Sequence, residues 1–241
     1  MEHRHDRAGL LEPFRGDRGR LTGVVLVAGT IGGGLGAAYL GALHLVQDHL
    51  LPDRWSTAGH ALVLVAVGLS VALITRMLGD PQGVDLLVDN IHVDGGRDDL
   101  RSLRSLLPVS LLCVGAGGPL GPEAPLVTTT GTFASWLAGR YGFSVERRRI
   151  VAITGMAAGF TVLFAAPLGS AVFALEILHR RGLEYHEALL PAAAGALCGT
   201  AVSTLLTGTG LDPLWHLPHP LAVGPADLGW ALLAGVLGAL A

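Results

Sequence analysis

The sequence predicts an all-α polytopic membrane protein with broken and tilted helices. Hydrophobic residues make up 51% of the 241 residues, only 15% are charged, and the mean hydropathy is +0.54. These values are typical of a chain that crosses a bilayer several times. Among the 35 glycines, several pairs are spaced four apart, which allows close packing of membrane helices. The pairs are Gly29 and Gly33, Gly32 and Gly36, Gly155 and Gly159, and Gly195 and Gly199.

Eight apolar segments follow one another along the chain. They are Leu21 to Val46, Ala58 to Leu78, Leu103 to Val114, Ala124 to Leu137, Ile150 to Ala166, Leu168 to Leu178, Ala188 to Leu206, and Leu228 to Ala241. Several are shorter than the roughly 20 residues that a helix needs to cross a bilayer. The prolines that interrupt the short segments are Pro108, Pro119, Pro122, Pro125 and Pro167. We therefore expect helices that stop within the membrane and direct their ends at a site.

The chain divides into three parts. Residues 1–20 carry several arginines and no apolar core, so this part is interpreted as a cytoplasmic N-terminal tail rather than a signal peptide. Residues 21–227 form one membrane unit. Residues 228–241 begin a further membrane helix that stops short, which predicts a truncated or split chain. The arginines Arg147 to Arg149 are cytoplasmic if the intervening segments cross the bilayer an even number of times.

Charge and cysteine content exclude several functions. The formal net charge is −3 and no basic patch for nucleic acid is present. Cys113 and Cys198 lie in apolar segments without metal-ligand spacing, so we expect small core residues. Four residues of a polar loop could act as metal ligands, but their spacing matches no standard metal site. They are His179, Glu184, His186 and Glu187. We therefore expect a protein that binds no metal and no cofactor and that is not an enzyme.

Glu123 is a carboxylate in a long, largely apolar region, within Gly121-Pro122-Glu123-Ala124-Pro125. A charge in that setting is costly unless it faces a cavity, a partner or an ion. Glycines and a proline before an apolar segment favour a helix N-terminus, which attracts anions. A carboxylate there could occupy the anion site and vacate it, which would make it a gate. Alternatively, Glu123 caps its helix or pairs with an arginine at the membrane edge.

These residues resemble the CLC chloride channels and proton-coupled chloride antiporters. Gly121 to Pro125 is similar to the family's Gly-Arg-Glu-Gly-Pro segment, whose glutamate is the external gate. A second block matches nearly in register: Thr154 to Phe160, Phe164 to Leu168, and Phe173 to Glu176. The resemblance covers roughly residues 79–208. It implies that residues 21–227 are the first of two inverted repeats, and that the protein is a homodimer that carries chloride or another small anion.

The resemblance also implies an anion-binding set, composed of Gln82, Gly83, Val84, Gly121, Glu123 and Ala124. The family's Gly-Ser-Gly-Ile-Pro loop falls on residues 81–85, and its anion-contacting serine is here Gln82. Either the preferred ion is not chloride, or the alignment is shifted by a few residues. Pro122 replaces the family's arginine and removes an N–H donor, although proline suits the first turn of a helix.

The proton pathway of the antiporters is altered. In the family a pair of glutamates follows the Pro-Leu helix, and the second relays protons. Here the pair is Glu176 and Ile177, and isoleucine cannot carry a proton. By resemblance this favours a passive channel over strict exchange. Glu176 is either part of a proton pathway or a structural partner of Arg180 one turn on.

Two functional hypotheses follow. In the first, the protein transports an anion across a membrane, such as a bacterial plasma membrane, as a glutamate-gated channel or a weakly proton-coupled exchanger. In the second, the chain is a degenerate, non-conducting half-repeat that acts as a membrane interaction subunit. The family's second-half Gly-x-Phe-x-Pro helix start and late tyrosine have no counterpart before Ala241.

Overall fold

In the computed structural model of the chain, the structure describes residues 17–50, 56–81, 83, 87–89, 91, 100–178, 186–208, 224 and 229–230. This described part is helical and contains no strand. Its α-helices are α1 (Asp17–Leu50), α2 (Thr57–Leu78), α3 (Leu103–Gly115), α4 (Glu123–Arg140), α5 (Val145–Phe164), α6 (Pro167–Glu176) and α7 (Leu189–Thr207). Short 3-10 turns at Leu100–Ser102 and His186–Ala188 precede α3 and α7.

Seven of the eight predicted apolar segments are helices, with ends that differ by a few residues. The eighth, at 228–241, lies outside the described residues except for 229–230. Three stretches are long and apolar enough to cross a membrane: Gly19–Leu50, Thr57–Leu78 and His186–Thr207. The all-helical membrane architecture predicted from composition is therefore confirmed.

Pro108 does not break its helix, contrary to the sequence prediction. It lies inside α3, which continues to Gly115. A proline in a helix leaves the carbonyl four residues earlier without its donor, and membrane helices tolerate this loss when neighbouring groups compensate. Pro167 behaves as predicted, because α5 ends at Phe164 and α6 begins at Pro167. Ala165, between them, takes the left-handed conformation with φ 52°.

Close backbone contacts define the directions of α1 and α7. A Cβ built on Gly29 would lie 2.6 Å from Gly195 Cα, and one built on Gly33 would lie 2.6 Å from Gly199 Cα. Both pairs advance together along the two helices, so α1 and α7 run parallel. Only glycine permits this separation, which confirms that these two predicted glycine pairs serve helix packing.

Helix α5 occupies the centre of the bundle and is buried from Val151 to Thr161. It runs parallel to α1, because a Cβ on Gly32 would meet Ala158 and one on Gly36 would meet Val162, each at 2.9 Å. It runs antiparallel to α4, as the contacts of Gly155 and Gly159 with that helix show.

Gly155 and Gly159 of α5 receive side chains of α4. Gly155 faces Ala134 and Thr130, whereas Gly159, further along α5, faces only Thr130. The C-terminal half of α5 therefore packs against the N-terminal half of α4. As a result α4 begins at the end of the bundle where α5 ends.

Hydroxyl groups inside the bundle are mostly bonded to the backbone of their own helix. Thr129 and Thr154 donate to the carbonyl four residues earlier, at 2.6 and 2.8 Å. Thr161 of α5 and Thr200 of α7 share a hydrogen bond of 2.8 Å between helices. Tyr39 of α1 donates to Ser110 of α3 at 3.1 Å. In an apolar surrounding these bonds avoid the cost of an unpaired hydroxyl.

Replacing Gly33 by alanine should separate α1 from α7. The added methyl group meets the backbone of Gly199, which cannot move aside as a flexible side chain can. We expect a loss of about 1–3 kcal/mol, the usual cost of overpacking. Gly41→Ala is the matched control, since a Cβ at that α1 position meets nothing within 4 Å. The thermal unfolding midpoints of the two variants are measured by size-exclusion chromatography after heating. Equal midpoints for Gly33→Ala and Gly41→Ala would contradict the packing argument.

Candidate functional site

The loop from α3 to α4 places Glu123 at the start of a helix. Gly117, with φ 79°, ends α3, and Gly118 N–H donates to Cys113 O at 2.9 Å. The chain then turns through Pro119 to Gly121 and enters α4 at Glu123. The predicted helix start at this motif is confirmed, with Pro122 at the N-cap.

The first turn of α4 has two free backbone donors. Pro122 and Pro125 have no N–H, and Leu126 N–H already donates to Pro122 O at 3.1 Å. The amides of Glu123 and Ala124 remain, and no described backbone carbonyl accepts from them. The Pro122 side chain provides no cap. This helix start therefore offers two N–H groups and the positive end of the helix dipole to an acceptor.

The Glu123 carboxylate folds back over Gly121. A Cβ built on Gly121 would overlap the Glu123 side chain at Oε2 and Cδ. An added side chain at this position would displace the flexible Glu123 carboxylate from where it lies, and the Gly121 backbone itself has no positive φ. Glu123 is half-buried, whereas Gly121 and Ala124 are exposed, so the carboxylate lies at the opening of the helix start rather than in the core.

The other predicted anion ligands are only partly placed by the structure. Gly83 is exposed and non-helical, and Gln82 and Val84 lie outside the described residues. The segment after this loop is fixed by Arg149, whose Nε donates to Ile91 O at 2.8 Å. Leu87, on the same segment, packs against Gly131 of α4. Of the predicted anion-binding set, the structure describes Gly83 and the sequence neighbours Gly121, Glu123 and Ala124.

Arginines gather at the opposite end of the bundle from Glu123. Arg20 Nη2 donates to Tyr141 O at 3.5 Å, which puts the start of α1 beside the turn between α4 and α5. That turn is flanked by Arg140 and by Arg147 to Arg149. Because α4 has 18 residues, its two ends are about 26 Å apart at 1.5 Å per residue.

The remaining described arginines lie partway along the bundle, because Ser110 and Gly115 of α3 meet Tyr39 and Val46 in the second half of α1. Arg101 and Arg104 are at the start of α3, which runs parallel to α1. Arg76 is in the last turn of α2, and Ser105 of α3 donates to the nearby Asp80 O at 3.4 Å. The five arginines at the end of α4, Arg20, Arg140 and Arg147 to Arg149, are far from Glu123, which disfavours their pairing with it.

Glu176 and Ile177 lie at the C-terminal end of α6. Glu176 is the last residue of α6 and is exposed, and Ile177 packs against the core cluster that contains Leu175 and Ala188. The side chain at the relay position therefore serves packing. Arg180, the predicted structural partner of Glu176, lies outside the described residues.

Two buried hydroxyl residues of α4 are absent from the predicted site. Thr128 Oγ1 and Ser135 Oγ are buried and have no hydrogen-bond partner among the described residues. They are seven residues apart and so share one face of the helix. The polar run Thr128-Thr129-Thr130 inside an apolar segment is the sequence signal that could have indicated them.

No cluster of metal ligands occurs in the part of the chain that the structure describes. His186 and Glu187 form an exposed pair, with 3.7 Å between Nδ1 and Oε2, while His179 and Glu184 lie outside this part. Cys113 and Cys198 are unpaired thiols, each partly buried.

Comparisons with known proteins agree with this architecture. A family model described as voltage gated chloride channel matches residues 63–241. A chloride/fluoride channel protein of Pseudomonas syringae pv. tomato is 29% identical over 170 residues, which are 67% of this chain and 36% of that protein. The chain thus spans little more than a third of that relative's length.

Two solved structures are similar. A slow cyanobacterial Cl⁻/H⁺ antiporter superposes with a TM-score of 0.71 at 22% identity, over 90% of this chain and 53% of that chain. A CLC-type fluoride/proton antiporter gives a TM-score of 0.67 at 26% identity, over 91% of this chain and 54% of that chain. Together with the apolar helices, these similarities establish an integral membrane protein with this fold.

Replacing Arg149 by glutamine should loosen the segment that follows the Gly83 loop. The change removes a charge-assisted bond to Ile91 O, a type worth about 1.5–3 kcal/mol. Hydrogen exchange should rise in residues 87–91 and stay unchanged at the start of α4. Arg76→Gln removes the same charge at an exposed α2 position and is the control. Equal protection of residues 87–91 in both variants would contradict the anchoring role.

Proposed function

This chain belongs to the voltage gated chloride channel (CLC) family, and we propose that it supplies the glutamate-gated part of a membrane protein that conducts chloride or another small anion. The proposal rests on the start of α4. There the Glu123 carboxylate and the free backbone N–H groups of Glu123 and Ala124 belong to the same helical turn. Membership in a family of channels favours transport over catalysis.

The gate follows from competition for one positive site. The N-terminus of α4 carries a partial positive charge and two unused N–H donors, which suit one small anion. The Glu123 carboxylate is a tethered anion next to the same donors. When it is charged it competes with a free anion, and when it is protonated or swung away the donors become available. Gly121 gives the carboxylate the space for its position.

We infer that the arginine end is cytoplasmic. Basic residues are retained on the cytoplasmic side of membrane proteins, and five of the eight arginines with described side chains, Arg20, Arg140 and Arg147 to Arg149, lie together at one end. This orientation puts the N-terminus in the cytoplasm and the start of α4 toward the outside. The separation of about 26 Å between the ends of α4 is comparable to the hydrocarbon thickness of about 30 Å.

Passive conduction is favoured over strict exchange. A proton route from the cytoplasm needs titratable groups along its length. At the cytoplasmic end of α6 the relay position is Ile177, whose side chain packs against the core. Exposed Glu176, beside it, leaves at most weak coupling.

The transported ion is proposed to be a small halide. Two similar proteins carry fluoride in their names, the Pseudomonas syringae channel and the CLC-type antiporter. Gln82 at the family's serine position also favours an ion other than chloride. A release assay that compares chloride, fluoride and nitrate distinguishes these anions. We further propose a homodimer, the assembly that the family resemblance implies, which cross-linking in membranes would test.

Glu123→Gln should make anion flux independent of pH. A neutral amide no longer competes as an anion, so the apparent anion affinity should rise roughly tenfold, equivalent to 1.4 kcal/mol. The measurement is anion release from liposomes containing the complete gene product, compared at acidic and at neutral pH. Glu176→Gln makes the same change at the exposed end of α6 and should leave the flux unchanged.

Gly121→Ala separates position from charge. It keeps the carboxylate but displaces it, so its flux should also change. Wild-type flux in Glu123→Gln would contradict the gate. No flux of any anion from the folded wild-type protein would instead favour the second hypothesis, a non-conducting interaction subunit.

Ile177→Glu should increase proton coupling. The new carboxylate would stand next to Glu176 at the cytoplasmic end of α6, where it could accept a proton. Proton uptake driven by an anion gradient should be absent or weak in the wild type and larger in the variant. Ile177→Gln has a similar size without the titratable group and is the control. Stoichiometric proton movement in the wild type would contradict passive conduction.

A further inference from the structure

The loop that leads to Glu123 is held at its two ends rather than along its length. Residues 119–121 are exposed, so the surrounding helices do not enclose the middle of the loop. At its beginning, Gly118 N–H donates to Cys113 O at 2.9 Å, which ties the loop to the last turn of α3. A displacement of the end of α3 would therefore carry the loop with it.

The end of α3 rests directly on α1. Gly115, the last residue of α3, is buried, and a Cβ built on it would overlap Val46 Cγ1 and lie 3.1 Å from Val46 Cβ. The backbone of α1 is just behind, with Gln47 N at 3.8 Å from the same built atom. Valine has essentially one side-chain rotamer in a helix, so Val46 cannot turn aside. The contact between Gly115 and Val46 therefore fixes how closely the end of α3 approaches α1.

The start of α4 is anchored on the same face of α1. Leu126 N–H closes the first turn of α4 by donating to Pro122 O at 3.1 Å. The Leu126 side chain is buried and packs in one cluster with Tyr39 and Leu43 of α1. Tyr39, Leu43 and Val46 are spaced by four and three residues, so they share one helix face. One stripe of α1 thus supports both the end of α3 and the start of α4.

Glu123 lies between these two anchors. Its carboxylate folds back over Gly121, which belongs to the loop, whereas the free N–H groups of Glu123 and Ala124 belong to α4. The position of the carboxylate relative to these donors therefore depends on the separation between the loop and the start of α4. Because both anchors rest on α1, that separation is set by how deeply Gly115 sits on Val46.

We propose that Val46 and Gly115 are positioning residues for the Glu123 gate, acting through the carboxylate rather than on the anion. This inference rests on the proposed function and adds what holds the gate in place. The contact keeps Gly121 close to α4, so the charged carboxylate stays beside the two N–H donors and competes with a mobile anion. A wider separation withdraws the carboxylate and leaves the donors to the free anion at neutral pH.

Gly115→Ala should raise anion flux at neutral pH and leave it nearly unchanged at acidic pH, where the carboxylate is protonated. The measurement is the ratio of acidic to neutral anion release from liposomes containing the complete gene product. This ratio does not depend on how much folded protein is present, so a purely structural defect would not move it. We expect it to fall roughly threefold, about half of the free energy expected for Glu123→Gln. Gly41→Ala is the control, since a Cβ there meets nothing within 4 Å.

Two double variants and a second single variant sharpen the test. Val46→Ala combined with Gly115→Ala removes the γ-methyl group that the new Cβ meets, and should return the ratio toward the wild-type value. Gly115→Ala combined with Glu123→Gln should behave as Glu123→Gln alone, because no carboxylate remains to be positioned. Val46→Ile adds bulk from the α1 side, at a partly exposed residue, and should also lower the ratio.

Wild-type ratios in both Gly115→Ala and Val46→Ile, with a normal response of Glu123→Gln, would overturn the positioning role alone. An effect of Gly115→Ala that persists in the Glu123→Gln background would also overturn it, since the contact would then act on something other than the carboxylate. A wild-type ratio in Glu123→Gln, or no anion flux from the wild-type protein, would overturn the gate and the positioning role together.

Discussion

Close contact between helix backbones around α5 is the constraint on which the rest of the structure depends. Between apolar helices in a bilayer the hydrophobic effect provides little attraction, so packing and interhelical hydrogen bonds hold them together. Here Gly29 and Gly33 of α1 lie on Gly195 and Gly199 of α7. The bond between Thr161 and Thr200 adds a polar contact to the same bundle.

This packing also determines where the functional groups lie. Because α4 runs antiparallel to α5 over Gly155 and Gly159, the start of α4 is at the end where α5 finishes. The arginine-rich start of α5 is consequently beside the end of α4. Both lie about one bilayer thickness away from Glu123. The direction of the helices thus separates Glu123 from Arg140 and from Arg147 to Arg149, a condition that the proposed competition with mobile anions needs.

The sequence predicted the helices well because their apolar segments are long and are separated by polar or proline-containing turns. It also predicted the helix start at Glu123, since the prolines and glycines there are local signals. Pro108 was assigned wrongly, because whether a proline stops a helix depends on its surroundings. The bond from Arg20 to Tyr141 O and the bond from Arg149 to Ile91 O depend on tertiary contacts, which no local pattern contains.

The two prolines at the start of α4 limit what that site can bind. An ordinary helix start leaves several N–H groups free, enough to surround a large anion such as phosphate. Here Pro122 and Pro125 remove two donors, and Glu123 and Ala124 supply the two that remain. Two donors and a partial charge of about +0.5 suit one weakly held monovalent ion. Weak binding is what conduction requires, because an ion must leave the site as readily as it enters. The same low charge would let a single carboxylate compete effectively, so the donor count and the proposed gate both depend on one short sequence.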